Sequence, residues 1–432
     1  MTQNPNDYSM RIVDTELGEL LADLSAVSLD GPRGVGKTTT ALQRANTVFK
    51  LDDPGALEAL AADPQRLTDS QGLTVIDEWQ LYPPSWDVVR RAVDADGRPG
   101  RFILTGSASP STRPTHSGAG RIVSVRMRPM SLVERWWNPV FQAPTVSLSS
   151  LLTGSLPEIG GNTEAGLDDY VEAITTGGFP GMPHASRRGT RAALNGYVSR
   201  IIDTDFADAG RSIRNPGALK RWMTAYAAAS STTASYEVIR DAATSGQGDK
   251  PSRQSTAPYN DTLERLWVLD PVPAWLPTRN RLAKLTSGPK HQLADPALAV
   301  ALLGISADAL VDGQTAGPPM ARDGSLLGHL FESLMALNLR VYAQASEASV
   351  SHFRKQGNTR EIDFIVARPD DRIVAIETKL SRTVSSKDVR HLNWLCDEIG
   401  GDLLDAAIIT TGPSAYRRND GIAVIPAALL GP

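Results

Sequence analysis

Residues Gly31-Pro32-Arg33-Gly34-Val35-Gly36-Lys37-Thr38 spell the pattern G-x-x-x-x-G-K-T and follow the largely apolar run Ala26-Val27-Ser28-Leu29. Such a loop leaves a buried strand, opens a helix and turns backbone N–H groups toward phosphate oxygens. The pattern therefore predicts a site for ATP or GTP, in which Lys37 supplies a point charge and the Thr38 hydroxyl contacts Mg²⁺. The predicted nucleotide contacts are Gly31, Pro32, Arg33, Gly34, Val35, Gly36, Lys37, Thr38 and Thr39.

Two further predicted strands end in polar residues. Leu73-Thr74-Val75-Ile76 runs into Asp77 and Glu78, and Phe102-Ile103-Leu104 runs into Thr105-Gly106-Ser107. Because ligands bind at the carboxyl ends of parallel strands, we expect these residues to face the bound nucleotide. Asp77 is the expected Mg²⁺ residue, Glu78 the base for the attacking water and Ser107 the sensor of the γ-phosphate. An isolated Asp-Glu pair is more often a solvated helix start, but three strand ends in this order favour a nucleotide hydrolase.

Length and composition indicate a multidomain globular protein. The chain has 432 residues, of which 41% are hydrophobic and 21% charged, and its net charge is −4. Any contact with nucleic acid must therefore come from a local basic patch. One cysteine, Cys396, excludes an intramolecular disulfide and a zinc cluster. The polar start lacks a signal-peptide pattern and no run approaches the roughly 20 apolar residues of a membrane span, so we expect a cytoplasmic protein without membrane contact.

Periodicity and turn residues organise the first 300 residues into three kinds of structure. Strands alternate with helical stretches over about 17–145, which predicts a parallel sheet covered by helices. Residues 165–230 read as helices that form a lid, interrupted by Gly177-Gly178-Phe179-Pro180-Gly181, a rigid turn with either a structural or a functional role. Residues 232–295 read as helix, loop, helix and short strands, an order that suits a winged-helix unit binding DNA or protein.

A second group of charged residues lies near the other end of the chain. Glu332 falls on a long amphipathic helix, Asp363 on a strand, and Glu377 and Lys379 on the strand that follows. Alternation places Glu377 and Lys379 on one face, and a hairpin register brings Asp363 beside them. We expect Asp363 and Glu377 to share a divalent ion, Glu332 to complete its shell and Lys379 to position a water that attacks a phosphodiester. The alternative is a charged edge strand that faces solvent.

These motifs, in this order, resemble those of the prokaryotic AAA-like ATPases with a C-terminal DUF4143 domain. The resemblance rests on the phosphate loop, Asp77-Glu78-Trp79-Gln80, Leu104-Thr105-Gly106-Ser107, Gly120-Arg121, Gly177-Gly178-Phe179-Pro180, and Glu361-Ile362-Asp363 with Glu377-x-Lys379. It implies an α/β P-loop NTPase domain, a helical lid with a winged-helix-like unit, and a C-terminal domain similar to the PD-(D/E)xK restriction-endonuclease fold. It also implies that Arg121 approaches the γ-phosphate, from a neighbouring copy or at the lid. Trp79, where a smaller aliphatic residue is usual, departs from the family pattern.

Three functions are compatible with this organisation. The ATPase domain (1–145) and the lid with its winged-helix-like region (146–300) would drive or gate a Mg²⁺-dependent nuclease in residues 301–432. Alternatively, the same domains form an ATP-dependent switch that binds DNA or protein without cutting. A kinase-like enzyme is disfavoured, because no catalytic motif for a small substrate follows the phosphate loop. A homo-oligomer or a partner protein is compatible with either of the first two.

Overall fold

Five short strands form one parallel sheet in the N-terminal part of the protein. The computed structural model describes residues 8–106, 118–182, 186–209, 215–244, 253–277, 288–312, 324–355 and 360–432. The strands are β1 (Ala26–Asp30), β2 (Thr47–Lys50), β3 (Thr74–Asp77), β4 (Phe102–Gly106) and β5 (Val123–Arg126), in the spatial order β2-β3-β4-β1-β5. Val27 in β1 pairs with Ile103 on one side and Val123 on the other. The sequence prediction of an α/β fold with a parallel sheet is confirmed.

Helices cover both faces of this sheet, because successive strand side chains point in opposite directions. The helices are α1 (Val13–Asp23), α2 (Lys37–Leu42), α3 (Pro54–Ala62) and α4 (Pro84–Ala95). Ile103 packs with Val27 and with Leu17 of α1 in one core. Its neighbour Phe102 packs with Val89 of α4 in the other.

A helical region follows the sheet. Its helices are α5 (Leu148–Leu151), α6 (Leu167–Thr176), α7 (Arg187–Arg200), α8 (Phe206–Asp208), α9 (Pro216–Ala228), α10 (Tyr236–Ala243), α11 (Arg253–Arg265), α12 (Pro296–Leu303) and α13 (Ala307–Asp312). A π-helical turn, Ile201–Asp205, joins α7 to α8. The buried rings of Trp222 and Tyr226 on α9 stack 5.3 Å apart in its core. Within the described residues, no helix is both long and apolar enough to cross a membrane.

Residues 268–274 and 288–294 form what we call the bridging hairpin. Antiparallel bridges pair Leu269 with Leu293 and Val272 with Lys290, and a parallel bridge joins Ala274 to His352. The hairpin therefore connects the helical region to the sheet that comes later in the chain. Whether α10, α11 and this hairpin act as a winged-helix unit stays a prediction.

The C-terminal part contains a second, mixed sheet. Its helices are α14 (Gly324–Ala345) and α15 (Arg390–Ile399), and its strands are β7 (Ser349–Arg354), β8 (Glu361–Ala367), β9 (Ile373–Thr378), β10 (Leu403–Thr410), β11 (Tyr416–Arg417) and β12 (Ala423–Pro426). The spatial order is β11-β12-β10-β9-β8-β7. A separate short pair joins β6 (Val146–Ser147) to β13 (Leu430–Gly431) in parallel.

The buried carboxylate of Asp270 joins three parts of the fold. Its oxygens lie 3.1 Å from Arg126 and 2.9 Å from Arg128, both at the end of β5, and it accepts a hydrogen bond from Arg340 on α14. Burial opposes ionisation of Asp270, but Arg128, Arg340 and Arg126 together hold its pKa well below the usual value. The first sheet, the bridging hairpin and α14 therefore meet at one ionised carboxylate.

We predict that Asp270→Asn destabilises the protein by about 3–5 kcal/mol at pH 7, because it leaves buried guanidinium groups without their counter-ion. Since the folded-state pKa is depressed, the carboxylate stabilises the protein above the unfolded-state pKa of about 3.9 and loses that effect as pH falls below it. Urea unfolding of parent and variant should therefore differ most near neutral pH and converge in acid.

Asp308→Asn is the matched control, since Asp308 and its partner Arg187 have side chains that are 77% and 73% exposed. This variant should unfold within about 0.5 kcal/mol of the parent. Equal losses in the two variants would mean that Asp270 does not hold the parts together.

Candidate functional site

The predicted phosphate-binding loop connects β1 to α2 and encloses one buried cation. Gly36 takes a left-handed conformation, φ +98°, immediately before Lys37 begins α2. The Lys37 ammonium donates to the carbonyl oxygens of Gly31 and Pro32, each at 2.8 Å. Burial lowers the pKa of Lys37 to about 8, although nearby carboxylates act in the opposite direction. The loop thus places a cation at the carboxyl end of the sheet.

The ends of β3 and β4 meet the loop at a shared carboxylate. The Thr38 hydroxyl donates to Asp77 Oδ1 at 2.7 Å, and the Thr105 hydroxyl donates to the same oxygen. Their strands place Asp77 directly opposite Thr105. The oxygen atoms of Thr38 and Asp77 are of the type that Mg²⁺ prefers. Ser107, the predicted γ-phosphate sensor, lies outside the described residues, whereas Thr105 lies at this strand end.

Glu78 follows Asp77 in a left-handed conformation, φ +55°. A residue with a side chain pays of the order of 1–3 kcal/mol for such a conformation, which commonly occurs at functional sites. The turn brings Glu78 to the same cavity as Lys37 and Thr38. The Gln80 side-chain amide donates to the Glu78 carboxylate and so orients it.

A cavity of about 1030 Å³ lies over the loop and is closed on its far side by the helical region. Tyr197 and Arg200 of α7 and Asp205 of the π-helical turn line it there. Arg33 of the loop lies 2.5 Å from Asp205, and the Tyr197 hydroxyl donates to the Arg33 carbonyl at 3.1 Å. These contacts tie the phosphate loop to the helices predicted to form a lid.

The buried side chain of Arg11 holds the phosphate loop through a hydrogen bond and an ion pair. Its guanidinium donates to the Val35 carbonyl at 2.8 Å and lies 2.8 Å from Glu134 Oε1. Both side chains are nearly inaccessible to solvent. Burial opposes ionisation of Glu134, yet Arg11 and hydrogen-bond donors lower its pKa. A buried ion pair therefore holds one carbonyl of the loop in place.

The Gly177–Gly181 turn makes backbone contacts with two distant segments and lines the cavity. The N–H of Gly178 donates to Asp295 at 2.7 Å, and its carbonyl accepts from Met130 at 2.7 Å. The Phe179 ring is buried 5.0 Å from the Tyr197 ring, and Pro180 lines the cavity. The turn is thus a structural link, and its functional role stays a prediction.

Arg121 lies at the opposite end of the strands of the first sheet from the phosphate loop. It precedes β5, which runs parallel to β1 from the pairing of Val123 with Val27, whereas the loop follows the other end of β1. Its guanidinium is half-exposed and lies 2.8 Å from Asp94 of α4. The structure therefore contradicts a position for Arg121 at the lid of its own chain, and leaves a neighbouring copy as the alternative.

The four predicted residues of the C-terminal group do come together. Glu332 lies on α14, Asp363 on β8, and Glu377 near the end of β9 with Lys379 Nζ 3.4 Å away. The backbone N–H and hydroxyl of Thr378 both donate to Asp363 Oδ2 at 2.9 Å. The alternative of a solvent-facing charged strand is wrong, because Asp363 and Glu377 are buried.

Lys290 lies among these carboxylates. Its Nζ is 2.8 Å from Glu332, 2.9 Å from Glu361 and 3.1 Å from Asp363, and its side chain is 1% exposed. We call Glu332, Glu361, Asp363 and Glu377 the acidic cluster. The predicted metal ion shared by Asp363 and Glu377 does not fit this geometry. Among the described residues, no group of three or more His, Cys, Asp and Glu side chains is arranged to hold a metal ion.

Burial raises the pKa of two members of the acidic cluster. It raises the pKa of Glu332 to about 8 and that of Glu377 well above its usual value. Burial acts in the same direction on Asp363, but Lys290 and Lys379 outweigh it and lower that pKa. The lysines therefore offset burial at Asp363 but not at Glu332 or Glu377.

Comparison with known families divides the chain into three ranges. An AAA domain matches residues 24–136, a domain of unknown function (DUF8612) matches 167–309, and a domain of unknown function (DUF4143) matches 327–430. The chain thus carries an AAA domain and, later in the sequence, a DUF4143 domain. The resemblance predicted from the sequence is confirmed. The phosphate loop lies in the AAA domain and the acidic cluster in the DUF4143 domain, whereas Lys290 belongs to the DUF8612 range.

Similar proteins include uncharacterized proteins of Mycobacterium bovis and Mycobacterium tuberculosis. Each is 28% identical to this chain over 208 residues, which cover 45% of this chain and 38% of the relative. The match thus spans about two fifths of the length of these relatives. A solved structure, the Walker-type ATPase of Pyrococcus abyssi, is 15% identical with a TM-score of 0.42 and is matched over 69% of this chain and 96% of its own.

Sequence reasoning missed Arg11, Asp205 and Lys290. Arg11 and Asp205 reach the phosphate loop from distant segments, and no local pattern marks either one. Lys290 carried a weak signal, because the sequence contains only nine lysines. Its partners, however, come from another domain.

Gly178→Ala should disturb the AAA domain, because an added Cβ would lie 2.3 Å from the Met130 carbonyl oxygen and 2.8 Å from its nitrogen. Backbone atoms at that distance must move, so we expect a loss of about 1–3 kcal/mol in unfolding free energy and weaker nucleotide binding. Gly181→Ala is the control, since its added Cβ would meet nothing within 4 Å. Indistinguishable unfolding curves for the two variants would contradict this prediction.

Proposed function

We propose that the AAA domain binds and hydrolyses ATP and that the protein is an ATP-dependent switch. The observation that carries this proposal is that Lys37, Thr38 and Glu78 line one cavity, where Thr38 is hydrogen-bonded to Asp77. A buried cation, a hydroxyl-carboxylate pair and a second carboxylate are the groups that phosphoryl transfer to water requires. The cavity of about 1030 Å³ also has room for a nucleotide.

Each group has a separate role in the proposed reaction. Lys37 and the backbone N–H groups of the loop neutralise and orient the phosphates. Thr38 and Asp77 would hold Mg²⁺, which when bound would neutralise the negative charge that develops on the phosphates. Glu78 accepts a proton from the water whose oxygen attacks the γ-phosphorus, while the bond to the ADP oxygen breaks and releases ADP and inorganic phosphate.

Two sets of contacts support coupling of this reaction to the rest of the protein. Arg33 connects the phosphate loop to Asp205 of the helical region, so phosphates that attract Arg33 compete with that carboxylate. Arg128 at the end of β5 connects the AAA domain to Asp270 of the bridging hairpin. We favour a switch over a nuclease because Lys290 lies among the carboxylates that a nuclease would use for metal.

Binding and turnover should separate in two variants. Lys37→Ala should weaken ATP binding, because it removes the charge that faces the phosphates. Glu78→Gln should still bind ATP but hydrolyse it about 10²-fold or more slowly, because the amide cannot accept the proton. Calorimetric titration with ATP and a phosphate-release assay measure the two effects.

Glu58→Gln, an exposed change on α3, is the control and should match the parent in both assays. Normal turnover in Glu78→Gln would exclude Glu78 as the base. Normal ATP affinity in Lys37→Ala would exclude the proposed nucleotide site.

Arg121 lies at the end of the strands opposite the phosphate loop. It can therefore contact a nucleotide phosphate only in a neighbouring copy of the protein. We therefore expect Arg121→Ala to match the parent rate in dilute solution and to lose up to about 10³-fold in rate where copies assemble. Hydrolysis measured across protein concentrations tests this, with Arg98→Ala as an exposed control paired to Asp96. Parent-like rates for Arg121→Ala at every concentration would remove it from the mechanism.

A further inference from the structure

The acidic cluster of the DUF4143 domain already contains a cation. We propose that Lys290 is its resident cation, an ammonium attached to the bridging hairpin that takes the place a divalent metal ion would occupy. The proposal rests on the position of Lys290 and does not depend on ATP hydrolysis. In this proposal, the bridging hairpin blocks the metal position of the DUF4143 domain with a side chain of the same protein.

The number and placement of oxygen atoms fit an ammonium. Lys290 Nζ lies at 2.8, 2.9 and 3.1 Å from carboxylate oxygens of Glu332, Glu361 and Asp363, and an ammonium has three protons to share among them. The other oxygen of Asp363 accepts two hydrogen bonds from Thr378. Lys290 and Thr378 therefore use both oxygens of the central carboxylate.

Lys290 is fixed by its backbone as well as by its charge. Its N–H donates to the Val272 carbonyl and its carbonyl accepts from the Val272 N–H, both at 2.9 Å. Beyond this pair, the His352 N–H donates to the Pro273 carbonyl at 2.9 Å, which joins the hairpin to β7. A metal ion can therefore enter the acidic cluster only if the bridging hairpin detaches from β7 or the ammonium of Lys290 is removed.

Removal of the ammonium should convert the acidic cluster into a divalent-ion site. Lys290→Ala, freed of metal with a chelator and kept without nucleotide, should bind one Mn²⁺ more than the parent in calorimetric titration. Because an ion that binds only the folded state stabilises it, Mn²⁺ should also raise the unfolding temperature of this variant more than that of the parent. Asp363→Asn added to Lys290→Ala should abolish both gains, and the exposed Lys355→Ala should behave like the parent.

Each outcome bears on the proposal. If the parent binds Mn²⁺ and Asp363→Asn removes that binding, Lys290 does not occupy a metal position and the proposal is wrong. If neither Lys290→Ala nor Lys290→Gln gains an Asp363-dependent ion, the acidic cluster is not a cation site of this kind, and the proposal is equally wrong. Lys290→Gln keeps a hydrogen-bond donor and serves where Lys290→Ala fails to fold. Loss of ATP hydrolysis would leave these results unchanged and would count only against the proposed function.

Discussion

The relative placement of the AAA domain and the DUF4143 domain depends on the charge of Asp270. A buried carboxylate costs free energy unless opposite charges surround it, and a buried guanidinium has the same requirement. Three arginines from two domains surround this one carboxylate, so the arginines need further partners. Gln344 accepts a hydrogen bond from Arg128 at 3.0 Å, and the Arg126 guanidinium lies 4.5 Å from the Trp267 ring centre. Movement of either domain would expose these charged groups to solvent or leave them buried without partners.

Two buried lysines illustrate how partners decide what a cation can do. Burial disfavours the charged form of both, but Lys37 is hydrogen-bonded to neutral carbonyl groups and has a lowered pKa, whereas carboxylates raise the pKa of Lys290 well above its usual value. The charge of Lys37 is therefore available to an anion. That of Lys290 is matched within the protein, which makes it a structural cation.

The predictable part of this protein was the part encoded by neighbouring residues. The loop from Gly31 to Thr38, and Asp77 at a strand end, could be recognised because their chemistry depends on local backbone geometry and on one sheet. The convergence of Asp363 and Glu377 also followed from strand alternation. Lys290 could not be placed among them, because its position depends on how a distant hairpin docks. Likewise, the separation of Arg121 from the phosphate loop in sequence did not reveal that the two lie at opposite ends of the strands.

The short pairing of β6 with β13 has a consequence for how the chain is made. Val146 and Ser147, just beyond the AAA domain, pair with Leu430 and Gly431. Contacts so distant in sequence form slowly, because a long loop must close before they contribute. During synthesis, β6 therefore stays without its β13 partner until the DUF4143 domain has emerged from the ribosome. The segment between the AAA domain and the DUF8612 range is thus completed by residues at the end of the DUF4143 domain.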